Sequence, residues 1–158
     1  MIRFMGEFFG SMYCVFEDLF GLELADYLWG NSSPISINNQ FIAIGFWMLG
    51  IALSIAIVYY YAVNHPRLCN WWGWSIFAVL TLVINFIVGW QWVLKDLYEG
   101  KMIKIDPVTN QQVPLEIFET DCIYFGFSNM ILSFVAFFII SCIIKWWSSN
   151  CASAPFVK

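Results

Sequence analysis

Residues 71–94 read WWGWSIFAVLTLVINFIVGWQWVL, a stretch with no Asp, Glu, Lys, Arg or His. A hydrocarbon core about 30 Å thick needs about 20 apolar residues in a helix rising 1.5 Å per residue. From Trp71 to Trp92 such a helix rises about 30 Å. Trp71, Trp72 and Trp74 stand at one end and Trp90 and Trp92 at the other, where indole rings favour a membrane–water boundary. The segment predicts a transmembrane helix.

Outward from it, charge remains sparse. The chain has 158 residues, 61% of them hydrophobic, 20% aromatic and only 11% charged, whereas a soluble domain carries about 25% charged residues. The runs 27–66 and 122–144 are also free of Asp, Glu, Lys and Arg. They predict two more spans. One covers 40–63, with Phe41 and Trp47 toward one end and an aromatic belt of Tyr59, Tyr60 and Tyr61 at the other. The second covers 121–146 and stops at Lys145, Trp146 and Trp147, a cationic and aromatic interface signal. The expected fold is thus an all-α integral membrane protein, 1–158 forming a single membrane domain. This composition excludes a soluble enzyme, and a net charge of −4 argues against a basic nucleic-acid-binding surface.

The connections carry the remaining polarity. On a helical wheel, residues 2–22 place Arg3, Glu7, Gly10, Ser11, Cys14, Glu17, Asp18 and Gly21 in one sector, so an N-terminal amphipathic helix is predicted, with a break near Gly21. Three acids against one Arg make attraction to anionic lipid an unsuitable driving force, leaving burial of the Phe and Leu face on lipid or on the protein itself. The same acids interrupt any export-signal core, so a retained N-terminus is expected. Gly30 to Pro34 reads as a loop, and Asn64-His65-Pro66-Arg67 as a reversing turn. In the extramembrane loop 95–120, Lys95 and Glu99 lie four apart and extend the helix past the membrane surface. Beyond Gly100, two short β-prone runs flank Asp106 to Asn110, which suggests a small β-hairpin leaning on the N-terminal helix or on a neighbouring subunit. Residues 148–158 read as a flexible tail.

Candidate functional positions follow from where polarity survives at depth. Thr81 and Asn85 share one face of the second span, and Asn129 and Ser133 one face of the third. An amide in lipid needs a partner, so these faces turn toward another helix or line a pore. Asp96, Glu99, Glu119 and Asp121 flank two spans at the same surface and form a candidate acidic rim. Gly45, Ala52 and Ala56 are small residues suited to an oligomer seam. The interface belt comprises Tyr59, Tyr60, Trp71, Trp72, Trp90, Trp92, Trp146 and Trp147. His65, the lone histidine, reads as a solvated turn residue.

The five cysteines form no CxxC, and with a single His they suggest no metal site. They read as small apolar filler. No catalytic residues, metal or cofactor are expected, and no ionisable group lies deep in a span to support proton-coupled transport. Two functions fit. One is a homo-oligomeric channel or membrane-permeabilising effector, a size that would suit a toxin-like or defence role. The other is a non-enzymatic scaffold or anchor subunit docking a partner protein through residues 2–22 or 95–120. Either is a multi-pass protein of a bacterial inner or other cellular membrane, with the lipid bilayer as its first partner. Basic residues near the spans number three on each side, and Arg67 and Lys145, tight against the membrane, favour the C-terminus inside.

Overall fold

The computed structural model describes residues 2–30, 39–63, 68–105, 111–148 and 151. It is mostly helical. The order is α1 (Ile2–Cys14), α2 (Glu17–Phe20), α3 (Leu22–Trp29), α4 (Gln40–Ile57) continued by a π-helical turn (Val58–Ala62), and α5 (Trp71–Tyr98). Strands β1 (Ile103–Ile105) and β2 (Gln112–Pro114) follow, then α6 (Glu119–Ile144), which ends in a 3-10 turn (Lys145–Trp147). Three helical segments, Gln40–Ala62, Trp71–Tyr98 and Glu119–Trp147, are long and apolar enough to cross a membrane. The 28 residues of α5 rise about 42 Å, so its last turn exceeds a hydrocarbon core. That turn carries the Lys95–Glu99 pair, at 3.7 Å.

The outward surface of these helices is apolar. Leu53 and Ile57 on α4, Val79 and Val83 on α5, and Ile131 and Ile139 on α6 are all exposed. An exposed apolar surface of that extent is a liability in water and ordinary in lipid.

Contacts divide the chain into two compact units, residues 1–46 with 86–129 and residues 47–85 with 130–158. In the first, the predicted helix over 2–22 is instead two, α1 and α2, and a third helix follows the predicted break near Gly21. α1 stops at Cys14 and the chain turns through Val15 and Phe16. Gly21 then adopts φ 91° and ψ 143°, a backbone region essentially restricted to glycine, and α3 starts anew. Glu23 and Asp26 are out of phase with the α1 wheel because they belong to this separate helix, which buries Leu24, Ala25, Tyr27 and Leu28.

The buried stripe of α1 is Gly6, Phe9, Gly10 and Tyr13, the i, i+3, i+4, i+7 spacing of one helical face. The Tyr13 ring stacks between Phe41 and Phe125, with centroids at 5.2 and 5.4 Å. Phe20 meets Phe125 edge-on at 5.3 Å. Gly10, placed in the polar sector by the wheel, is the seat of the Trp29 indole, where a β-carbon would lie 2.2 Å from the ring.

The hairpin is present. Its strands pair antiparallel, with Ile103 opposite Pro114, Lys104 opposite Val113 and Ile105 opposite Gln112, while its predicted centre, 106–110, lies outside the described residues. It leans on α3 rather than on α1. Glu23 receives the Lys104 ammonium at 3.1 Å and the Glu116 N–H at 2.7 Å. The Lys104 hydrogen bond is the main force holding the Glu23 carboxyl below the usual carboxylate range, and the Glu116 N–H adds to it. A depressed folded-state pKa gives a contact fully present above the unfolded value of about 4.3 and lost as pH falls through the folded one. Amide protection over Ile103–Ile105, corrected for intrinsic exchange, is therefore expected to fall below about pH 4. Glu23→Gln should give weaker protection with that pH step absent.

In the second unit, Tyr59 and Tyr60 are fully buried while Tyr61 is exposed, because they lie three and four residues past buried Ala56 and continue the inward stripe of Ala52 and Ala56. The Tyr59 hydroxyl donates toward the Leu68 and Asn70 carbonyls at 3.3 and 3.4 Å. Trp74 donates its indole N–H to Ser141 Oγ at 3.2 Å and packs on Phe137 at 5.7 Å. Two cysteines are not filler: Cys69 and Cys151 form a disulfide, with Cα atoms 4.6 Å apart. Of the predicted flexible tail, Ser148 is tied to the Tyr60 carbonyl at 2.9 Å and Cys151 to Cys69, and its other residues from 149 onward lie outside the described residues. His65 and Arg67 lie outside them also.

Candidate functional site

The most developed polar site in the first unit is built around a carboxylate at the end of α5. Asp96 is 8% exposed, and burial on that scale requires partners. Tyr27 of α3 donates its hydroxyl to Oδ2 at 3.1 Å. Gln40, the first residue of α4, donates Nε2 to the same oxygen at 3.1 Å and to the Tyr27 hydroxyl at 3.2 Å. Lys101, just past α5, donates to Oδ1 at 3.2 Å. Trp92 completes the set, its indole N–H donating to Gln40 Oε1 at 3.1 Å.

The electrostatics follow from these contacts. Burial, then the neighbouring Asp96 charge, pushes the Tyr27 hydroxyl up to about 12, so it remains a donor. Glu99 and Asp96 hold the Lys101 ammonium above the ordinary lysine range, and Lys101 in turn lowers the Glu99 carboxyl. Gln40, Trp92, Lys95, Asp96 and Lys101 line a cavity of about 340 Å³. The arrangement joins the α3, α4 and α5 ends through one carboxylate. It has no nucleophile beside a base, and among the described residues no cluster of His, Cys, Asp or Glu could hold a metal.

The four predicted rim acids have different surroundings. Asp96 is enclosed in the network above and Glu99 pairs with Lys95 and Lys101. Glu119 accepts the Tyr98 hydroxyl. Asp121 reaches back to the Phe118 N–H at 2.9 Å, the carboxylate half of a capping box that begins α6.

The deep polar residues Thr81, Asn85, Asn129 and Ser133 are all fully buried in one chain. Thr81 donates to the Phe77 carbonyl at 2.8 Å, Asn85 to the Thr81 carbonyl at 3.1 Å, and Ser133 to the Met130 carbonyl at 2.7 Å. Asn129 Oδ1 accepts the Tyr13 hydroxyl at 2.6 Å, a contact across 116 residues that no local pattern reveals. Gly89 permits it, since a β-carbon there would lie 2.8 Å from the Asn129 amide. Burial raises the Tyr13 phenol above its ordinary range, so the donor keeps its proton. A double-mutant cycle of Tyr13→Phe and Asn129→Ala, read by detergent unfolding, should give a coupling of about 0.6–2 kcal/mol. Strict additivity would contradict the bond.

Of the small residues, Ala52 and Ala56 are fully buried within the chain, and Gly45 faces the Phe9 ring. In the predicted belt, Trp71, Trp72, Trp146 and Trp147 are exposed, Trp90 and Trp92 are half-buried, and the Tyr59 and Tyr60 side chains are enclosed. Comparison with protein-family models, curated protein sequences and solved structures finds no match for this chain.

Proposed function

We propose that this protein is a non-enzymatic, multi-pass membrane scaffold or anchor whose extramembrane surface docks a partner protein. The observation that carries this reading is the division of polarity. The long helices are apolar outward, and the polar side chains at depth bond inside their own chain. A chain closed in this way needs lipid around it and no aqueous path through it. α1 fits an interfacial helix, with Phe4 and Phe8 exposed toward the lipid headgroup and acyl boundary.

The docking surface is the 95–120 segment. Phe118, 68% exposed, lies outside the long helices, as do Ile105 and Val113 on the hairpin, which are also exposed. Aromatic and aliphatic groups of this kind serve as interface anchors when a partner covers them. Tagged protein solubilised from its native host in mild detergent should co-purify with one stoichiometric partner. A photo-crosslinker in place of Phe118 should capture that partner, and Phe118→Asp should release it. Recovery of the chain alone, with no crosslink from this position, would sink the scaffold reading.

The second reading is a homo-oligomeric channel or permeabilising effector, of a toxin-like or defence kind. Four uncharged polar side chains held at depth favour it. Conduction would require Thr81, Asn85, Asn129 and Ser133 to leave their own-chain surroundings and face water. Planar-bilayer recordings discriminate: currents that Asn85→Leu alters support the channel, and a monomer without conductance excludes it.

A further inference from the structure

We infer that the Cys69–Cys151 disulfide fixes the orientation of the chain, placing residues 68–70 and Cys151 on the oxidising, non-cytoplasmic side of the membrane. The N-terminal helices and the 95–120 segment then face the reducing compartment. Structural disulfides persist in the periplasm, secretory lumen or exterior, and thiol-reducing systems remove them from the cytosol.

The pairing is supported by more than the sulfurs. The cysteines are 82 residues apart, with Cα atoms 4.6 Å apart, inside the range a disulfide spans. Contacts made by other atoms bring them there. The Ser148 hydroxyl donates to the Tyr60 carbonyl at 2.9 Å and receives the Cys151 N–H at 3.2 Å. The Tyr61 hydroxyl donates to the Trp147 carbonyl at 3.4 Å. The chain leaving α6 is thus held against the end of α4 by two hydrogen bonds independent of the disulfide, and a third within the segment positions Cys151.

Cys14 and Cys122, free thiols of the first unit, fit the same division, while Cys142 is a free thiol of the second unit within the third apolar helix. Three crossings put Cys14 on the opposite side from Cys69 and Cys151. Basic residues leave orientation undecided, with Lys95, Lys101 and Lys104 on one side and Arg67, Lys145 and Lys158 on the other. The disulfide decides it, in the sense opposite to that favoured by Arg67 and Lys145.

Formation requires a disulfide-donating dithiol oxidant in that compartment. One cysteine thiolate attacks the donor's disulfide to give a mixed disulfide. The second displaces the donor, which leaves as a dithiol carrying the two electrons and two protons lost by the pair. This orientation holds for a scaffold and for a channel alike, since it depends only on three crossings and the cysteine pair.

The test uses wild-type protein in native membranes. After acid quenching and denaturation, a polyethylene-glycol maleimide should add to three thiols without reductant and to five with it. Five additions without reductant would overturn the proposal. In right-side-out vesicles, a membrane-impermeant phosphine followed by a sulfonated maleimide should label two sites. That labelling should vanish in the Cys69→Ser, Cys151→Ser double variant and persist in Cys14→Ser. Labelling of the pair only in inside-out vesicles would reverse the orientation and overturn the inference.

Discussion

Replacing Gly45 by leucine is expected to expel Phe9 from its seat and loosen α1. A β-carbon on residue 45 would lie 2.3 Å from the Phe9 ring, far inside van der Waals contact. The ring is almost fully buried and wedged against Phe46 at 5.4 Å and Phe8 at 5.5 Å, so it has little room to turn aside. Overpacking of this kind costs about 1–3 kcal/mol. Because Phe9 can be received by lipid, the loss concerns packing more than apolar burial, and α1 should detach locally without global unfolding. Limited proteolysis and amide exchange should show α1 deprotected in Gly45→Leu, with Gly45→Ala intermediate. If Gly45 instead lay at a seam between copies, the substitution would change the mass in detergent and leave α1 protected.

Gly73→Ala is the second large effect, and its sign is unusual. Alanine in place of a helical glycine ordinarily stabilises by about 0.5–1 kcal/mol. Here the new β-carbon would fall 1.8 Å from the Leu68 carbonyl oxygen, which is backbone and cannot swing away as a side chain would. The same carbonyl receives the Tyr59 hydroxyl at 3.3 Å, and its neighbour Cys69 is bridged to Cys151. Moving it disturbs both. A net loss of about 2–3 kcal/mol is expected in detergent unfolding. Gly50→Ala is the control: apart from its own helix backbone and chain neighbours, nothing lies within 4 Å of its added β-carbon, so it should be neutral or stabilise by up to about 1 kcal/mol. Equal effects at Gly50 and Gly73 would contradict the close approach of Leu68.

The three long helices were readable because about 20 uncharged apolar residues have few structural uses besides a span. Their observed limits, Gln40–Ala62, Trp71–Tyr98 and Glu119–Trp147, differ from the expected ones by a few residues, chiefly where Lys95–Glu99 carries α5 onward. The hairpin was readable from its turn residues. Less visible was anything set by distant partners or by phase. Tyr59 and Tyr60 resemble a belt by residue type, yet they continue the buried face of Ala52 and Ala56. α3 was legible only as the break near Gly21, because Glu23 and Asp26 fall out of phase with the α1 wheel without marking a helix of their own. Cys69 and Cys151 lack metal-like spacing, and nothing local announces a pair 82 residues apart. The Asp96 network was only partly legible. Asp96 was identifiable as an acid at a span end, but Tyr27, Gln40 and Trp92 come from three helices and share no motif.

The account rests on polar residues at depth being closed within one chain. Thiol accessibility in reconstituted vesicles tests this most directly, using near-isosteric Thr81→Cys and Ser133→Cys variants in a chain carrying Cys14→Ala, Cys122→Ala and Cys142→Ala with the disulfide kept. Val83→Cys, at an exposed apolar position on α5, reports the lipid face. A charged, water-soluble methanethiosulfonate should leave all three positions unmodified in intact bilayers. Denaturation should expose all three to the reagent, because a cysteine reacts as its thiolate and ionises only where water reaches it. Modification of the Thr81→Cys or Ser133→Cys variant by the charged reagent in the intact bilayer would reveal water along the helices and contradict the account.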